Sequence, residues 1–211
     1  ADRHPSNGTV TCDIDNDGDL DVLVSTYSVS TELGHNHLWI NKNGKLKEDG
    51  VKRGFAAQPT GNPWLESTNY GLDAEPVDAS EAVGSNGFGL DCGDIDNDGD
   101  MDVFISAISH PVDTDYTRKW SDPTTLLIND GTGNFTDGTQ EWQVPFNEGD
   151  VDAALIDFDN DGRLDASLSR DRKYESNYTE ADQKSWFGLL HQQIGGFVNV
   201  GVESGINDIL A

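Results

Sequence analysis

Cys12–Ser25 reads CDIDNDGDLDVLVS, and the same pattern returns twice without a gap. The second copy is GDIDNDGDMDVFIS at Gly93–Ser106 and the third is IDFDNDGRLDASLS at Ile156–Ser169. In D-x-D-x-D-G-x-x-D a tightly curled loop aims the carboxylates at positions 1, 3, 5 and 9 inward. Glycine at position 6 permits the positive φ of the curl, and the carbonyl of position 7 completes an oxygen shell. The first copy supplies Asp13, Asp15, Asp17 and Asp21, with Asp19 at position 7. The second supplies Asp94, Asp96, Asp98 and Asp102 with Asp100, and the third Asp157, Asp159, Asp161 and Asp165 with Arg163. An arginine at position 7 is harmless when its side chain points out and only its carbonyl ligates. Oxygen-only donors favour Ca²⁺ over zinc or copper, so the pattern predicts up to three calcium sites. An EF-hand loop also begins this way but needs Glu at position 12 and flanking helices. Position 12 here is Val24, Ile105 and Leu168, apolar and in strand phase.

Working outward, each loop leads into a strand. Leu20, Val22 and Val24 share a face, as do Met101, Val103 and Ile105, and Leu164, Ala166 and Leu168. Leu23 and Phe104 make the opposite face apolar too, which predicts strands packed on both sides. A second repeated stretch follows each loop: HLWINKNGKLKE (His37–Glu48), TLLINDGTGNFTD (Thr125–Asp137) and GLLHQQIGGFVNV (Gly188–Val200). Each reads as strand, Gly-containing turn and strand, a hairpin pattern. About four strands per repeat predict an all-β propeller whose units are four-stranded blades. The expected division is residues 1–87 for the first blade, 88–150 for the second, and 151–211 for the third with the start of a next. The first and second loops stand 81 residues apart and the second and third 63. The excess is expected in 54–87, whose Gly, Pro, Asn and Ser read as loop.

The formal net charge is −26, from 39 acidic and 13 basic residues, and only 14 of the acids lie in the three loops. The remaining surface is acidic in its own right, which disfavours nucleic acid and anionic lipid as partners. No apolar run reaches the roughly 18–20 residues of a membrane span, and no signal-peptide pattern is present. The chain starts at Ala1 without Met and reads as processed or as part of something longer. Two cysteines, Cys12 and Cys92, do not make a disulfide scaffold. Their repeat positions differ by one, which flips strand facing, so two buried free thiols are expected over a single disulfide.

The stretches DIDNDGDLDVLV (Asp13–Val24), its two relatives and LLINDGTGNFTD (Leu126–Asp137) resemble the FG-GAP/VCBS repeat family, the blades of integrin-α-like propellers. Within it the chain looks most like cartilage-acidic-protein-like and bacterial VCBS-repeat proteins. The resemblance implies a ring of usually seven blades, structural calcium in hairpin loops, and a secreted, cell-surface or periplasmic module for adhesion or recognition. Three motifs make part of such a ring, completed by a longer chain or by other subunits. The third hairpin departs from the family by losing the Asn-rich turn.

Ligand contacts are expected in two long connections at equivalent places, 110–124 and 171–186. They hold Tyr116, Arg118, Trp120, Arg172, Tyr174, Tyr178 and Trp186, aromatics beside bases that suit a protein or glycan partner. The alternative function is therefore a lectin-like propeller, or a non-catalytic part of a polysaccharide-active enzyme. No G-x-S-x-G elbow, acid–base pair or cofactor motif singles itself out, so no enzyme is expected. His4, His35, His37, His110 and His191 lack zinc spacing and read as surface or loop residues, although His35 and His37 share a strand face.

Overall fold

The structure is a computed structural model that describes residues 6–26, 35–56, 87–107, 124–145, 150–170 and 187–206. Twelve strands form three antiparallel sheets of four, each in simple sequential order. Sheet I contains β1 (Ser6–Cys12), β2 (Asp21–Thr26), β3 (His37–Lys42) and β4 (Lys45–Glu48). Sheet II contains β5 (Gly87–Gly93), β6 (Asp102–Ala107), β7 (Thr125–Asn129) and β8 (Phe135–Asp137). Sheet III contains β9 (Asp150–Ile156), β10 (Asp165–Arg170), β11 (Phe187–Gln193) and β12 (Gly196–Asn199). The Asp-rich stretches are the β1–β2, β5–β6 and β9–β10 connections. The second repeated stretches become the outer hairpins, and the third of these turns on Gly195 and Gly196, both at positive φ.

The sheets stack through two apolar seams of the same design. Between sheets I and II lie Ile14, Leu23, Leu38 and Ile40 from one side and Leu90, Val103, Ile105, Leu127 and Phe135 from the other. Between II and III lie Ile95, Phe104 and Leu126 against Ala153, Ala166, Leu168, Leu190 and Phe197. Leu23 and Phe104 hold equivalent positions, as do Val103 and Ala166, Ile105 and Leu168, and Phe135 and Phe197. The second seam is the first moved along by one sheet. Each fully buried large apolar side chain contributes about 1.5–3 kcal/mol, so the seams dominate the fold's stabilisation.

The expectation of strands packed on both faces holds in full for β6, whose six residues are all buried. It holds by half for β2 and β10, because sheets I and III each have one covered face. Hence Leu20 is 58% exposed, whereas its equivalent Met101 packs into the first seam.

Phe55 is a core residue that fell inside the segment expected to be loop. It is 1% exposed and meets Phe135 at 5.6 Å between ring centroids. The turn that delivers it, 49–56, is repeated at 138–144. Phe135 N donates to Arg53 O and Phe197 N to Trp142 O, both at 2.7 Å. Val144 stands where Phe55 does. The insertion therefore begins after Ala56, and residues 57–86 lie outside the described residues.

Cys12 and Cys92 are joined in a disulfide, which corrects the expectation of free thiols. Cys12 pairs across its sheet with Asp21, while Cys92 is one residue short of Gly93, which pairs with Asp102. Stacked sheets meet front to back, so a one-residue offset is what turns two thiols on neighbouring sheets toward each other.

A buried ion pair closes the other end of the second seam. Asp150, 0% exposed, accepts from Arg170 Nε at 2.8 Å and from Thr124 Oγ1 at 2.6 Å. Gly188 leaves room for this arginine, since a Cβ there would stand 2.7 Å from Arg170 Nη2. Arg170→Ala leaves an unpaired buried carboxylate and is expected to cost about 3–5 kcal/mol. A shift in the urea midpoint at unchanged slope measures it.

Candidate functional site

The three Asp-rich loops are built from one set of hydrogen bonds. The position 1 carboxylate caps the loop: Asp13 accepts from Asp17 N at 3.0 Å and Gly18 N at 2.9 Å. Asp94 does the same for Asp98 N and Gly99 N, and Asp157 for Asp161 N and Gly162 N. The position 5 carboxylate accepts from position 7: Asp17 from Asp19 N, Asp98 from Asp100 N, and Asp161 from Arg163 N. The curl needs two residues at positive φ. Gly18, Gly99 and Gly162 supply one, and Asn16 (55°), Asn97 (61°) and Asn160 (61°) the other. Asparagine tolerates this region better than other side chains, so the invariant Asn at position 4 was a readable signal that motif reading passed over.

The position 9 aspartates are buried pegs between loop and sheet. Asp21 accepts from Ile14 N at 2.8 Å and from Asn41 N, on β3, at 2.7 Å. Asp102 accepts from Ile95 N and Asn129 N at 2.9 Å each, and Asp165 from Phe158 N at 3.1 Å and Gln192 N at 2.8 Å. Burial pushes Asp102 up to about 6, and the two backbone N–H groups oppose that rise. Burial likewise raises Asp21, and raises Asp96 with help from neighbouring Asp98.

The first two loops also reach into the seams. Ile14 and Ile95, at position 2, are 0% exposed. An amide from the next sheet holds the loop backbone: Asn129 Nδ2 donates to Ile14 O, and Gln192 Nε2 to Ile95 O, both at 2.8 Å. Asn16 of the first loop donates to Asp100 of the second at 2.5 Å.

The structure brings carboxylate oxygens of Asp13, Asp15 and Asp17 within 4.8 Å of one another, and likewise those of Asp94, Asp96 and Asp102, and of Asp157, Asp159 and Asp161. Asp15 Oδ1 is buried without a hydrogen-bond partner. Converged carboxylates and an orphaned buried oxygen fit a hard divalent cation.

The loops differ in the cations around them. Lys42 Nζ lies 3.0 Å from Asp15 Oδ2 and 2.7 Å from Asp17 Oδ2, and Arg53 Nη2 lies 3.8 Å from Asp15 Oδ2. The Lys42 hydrogen bond holds Asp17 below its usual range, with the Asp19 N–H helping. In the third loop Arg163 turns back, its Nη2 pairing with Asp161 and its Nε donating to Gln192 O at 3.0 Å. The expectation that this side chain points away from the loop is therefore corrected. His191 Nδ1 lies 3.0 Å from Asp165 Oδ1. Among the described residues no Lys, Arg or His pairs with an aspartate of the second loop. Lys42→Ala is accordingly expected to tighten divalent-cation binding at the first loop a few-fold, measured by calorimetry in low salt. Tyr116, Arg118, Trp120, Arg172, Tyr174, Tyr178 and Trp186 lie outside the described residues.

Sequentially wound four-stranded sheets, each stacked on the next and each carrying the same Asp-rich hairpin loop, define a β-repeat protein. Residues 13–105 match the FG-GAP-like repeat, and that match supports the resemblance of this segment to the FG-GAP/VCBS repeats. The match runs from the first loop through β6. The third loop and sheet III continue its design beyond it. No curated protein matches the chain.

Proposed function

We propose that the three sheets are successive blades of a calcium-stabilised β-propeller that serves, without catalysis, as an extracellular adhesion or recognition module. The observation carrying this reading is the loop built three times on one hydrogen-bond frame, with the first two copies set into the seams between sheets. Asp13, Asp15, Asp17 and Asp21 and their counterparts would hold the ion. When bound, calcium supplies positive charge that offsets carboxylate repulsion and ties the first two loops to their seams.

The outer faces support a larger ring. Leu20 and Leu46, on sheet I, are 58% and 56% exposed, while their equivalents Met101 and Phe135 pack into a seam. Phe158, in the β9–β10 loop, is 39% exposed where Ile14 and Ile95 are fully buried. These faces suit further blades, from the same chain or from another subunit. Among the described residues no helix is long and apolar enough to cross a membrane.

Calorimetric titration tests the reading. Up to three calcium equivalents are expected, and Asp13→Asn, Asp94→Asn and Asp157→Asn should each remove one. A chain that takes up no calcium at millimolar concentration overturns it. For the partner, binding to a panel of matrix proteins in calcium, lost on chelation, is expected. Binding confined to a glycan array, and abolished by Trp120→Ala with Trp186→Ala, would move the function to the lectin class.

A further inference from the structure

We propose that His35, His37 and Glu48 form a second kind of metal site, for a divalent transition ion of the zinc class. One ligand atom from each lies within 4.8 Å of the other two. His37 opens β3 and Glu48 closes β4, while His35 precedes the strand by two residues and so approaches the same face. The imidazoles stand 4.6 Å apart between centroids, and His37 Nδ1 is 3.6 Å from Glu48 Oε1. His37 is well covered, its side chain 13% exposed. Gly50 N donates to Glu48 Oε1 at 3.1 Å, and such an outer hydrogen bond fixes a ligating carboxylate in place.

The donor set differs in kind from that of the Asp-rich loops. Two imidazole nitrogens and one carboxylate suit zinc, nickel or copper, whereas the loops offer oxygen alone. The places differ too. Lys42, at the far end of β3, touches the first loop and lies five residue steps along the strand from His37, about 16 Å. Nor does the repeat require these residues. The positions of His37 and Glu48 are Thr125 and Asp137 in sheet II, and Gly188 and Asn199 in sheet III. The cluster belongs to sheet I, on the face turned away from the seam that buries Leu38 and Ile40. Three protein ligands leave a coordination position for water or for a group on a partner.

The experiment uses untagged protein in excess calcium, which occupies the Asp-rich loops, titrated with ZnCl₂ by calorimetry. One zinc equivalent is expected in the wild type. His37→Ala should abolish it, and His35→Ala and Glu48→Gln should each weaken it at least tenfold. Trp39 gives an independent signal, because its ring centroid lies 5.0 Å from that of His37. Cu²⁺ should quench wild-type fluorescence at one equivalent, and Trp39→Phe should lose that quenching. Should His37→Ala fail to fold, Glu48→Gln and the Trp39 difference still decide the matter. No zinc uptake by the wild type, or uptake unchanged in His35→Ala with Glu48→Gln, overturns the proposal.

Discussion

Chelation of divalent cations is expected to lower the melting temperature by about 5–10 °C for each loop held at a hundred times its dissociation constant. The estimate follows from linkage: such occupancy of a site formed only in the native state stabilises it by about 2.7 kcal/mol. In a domain of this size, each kcal/mol is worth about 2–4 °C. The physical origin is visible in the loops. Without an ion, Asp94, Asp96, Asp98, Asp100 and Asp102 crowd into one turn with no basic side chain paired to them among the described residues. The first loop has Lys42 and Arg53 beside it, and the third has Arg163 and His191. The second loop should therefore bind most tightly, and Asp94→Asn should reproduce the largest single share of the loss. Differential scanning with and without EDTA checks both statements. A transition unmoved by EDTA would remove calcium from the account of stability, leaving the seams and the disulfide to carry it.

The parts legible in the sequence are those whose determinants lie within a dozen residues. The Asp-rich loops, strands β2, β6 and β10, and the outer hairpins all follow from local spacing, because a two-residue period and a Gly-containing turn are written where they act. What escaped is what acts between sheets. Asn129 meets Ile14 across 115 residues and Gln192 meets Ile95 across 97. Nothing near either amide distinguishes it from a solvated side chain. Phe55 was hidden for another reason. It sits in an irregular turn among Gly and Lys, and only the seam it fills shows that the turn is a repeated element. The basic residues around the loops were missed because Lys42 and Arg53 come from β3 and from a turn, so their closeness to Asp15 depends on the sheet's register.

The disulfide is the second large effect, and the offset that argued against it now explains it. Replacing Cys12 and Cys92 by serine is expected to destabilise the protein by roughly 4.5 kcal/mol, the closure entropy of a loop this long. The sequence separation is 80 residues, and residues 57–86 lie inside the closed loop. A cross-link over such a segment acts mainly on the unfolded chain, whose freedom grows with loop length. Two additional features should make the double variant more than an entropy change. Cys12 is buried in the first seam, and Cys92 packs against the same cluster, so serine places two hydroxyls where the neighbours are apolar. The bond also joins β1 to β5, the strand of sheet I that faces the first strand of sheet II. Its loss should loosen sheet I from sheet II before it affects the second seam. Hydrogen exchange separates the two contributions. Cys12→Ala with Cys92→Ala should recover the hydroxyl penalty and retain the closure loss, and protection should fall across β1–β4 more than across β9–β12. Equal stability of the wild type with and without reductant would show that the bond contributes nothing to holding the first seam.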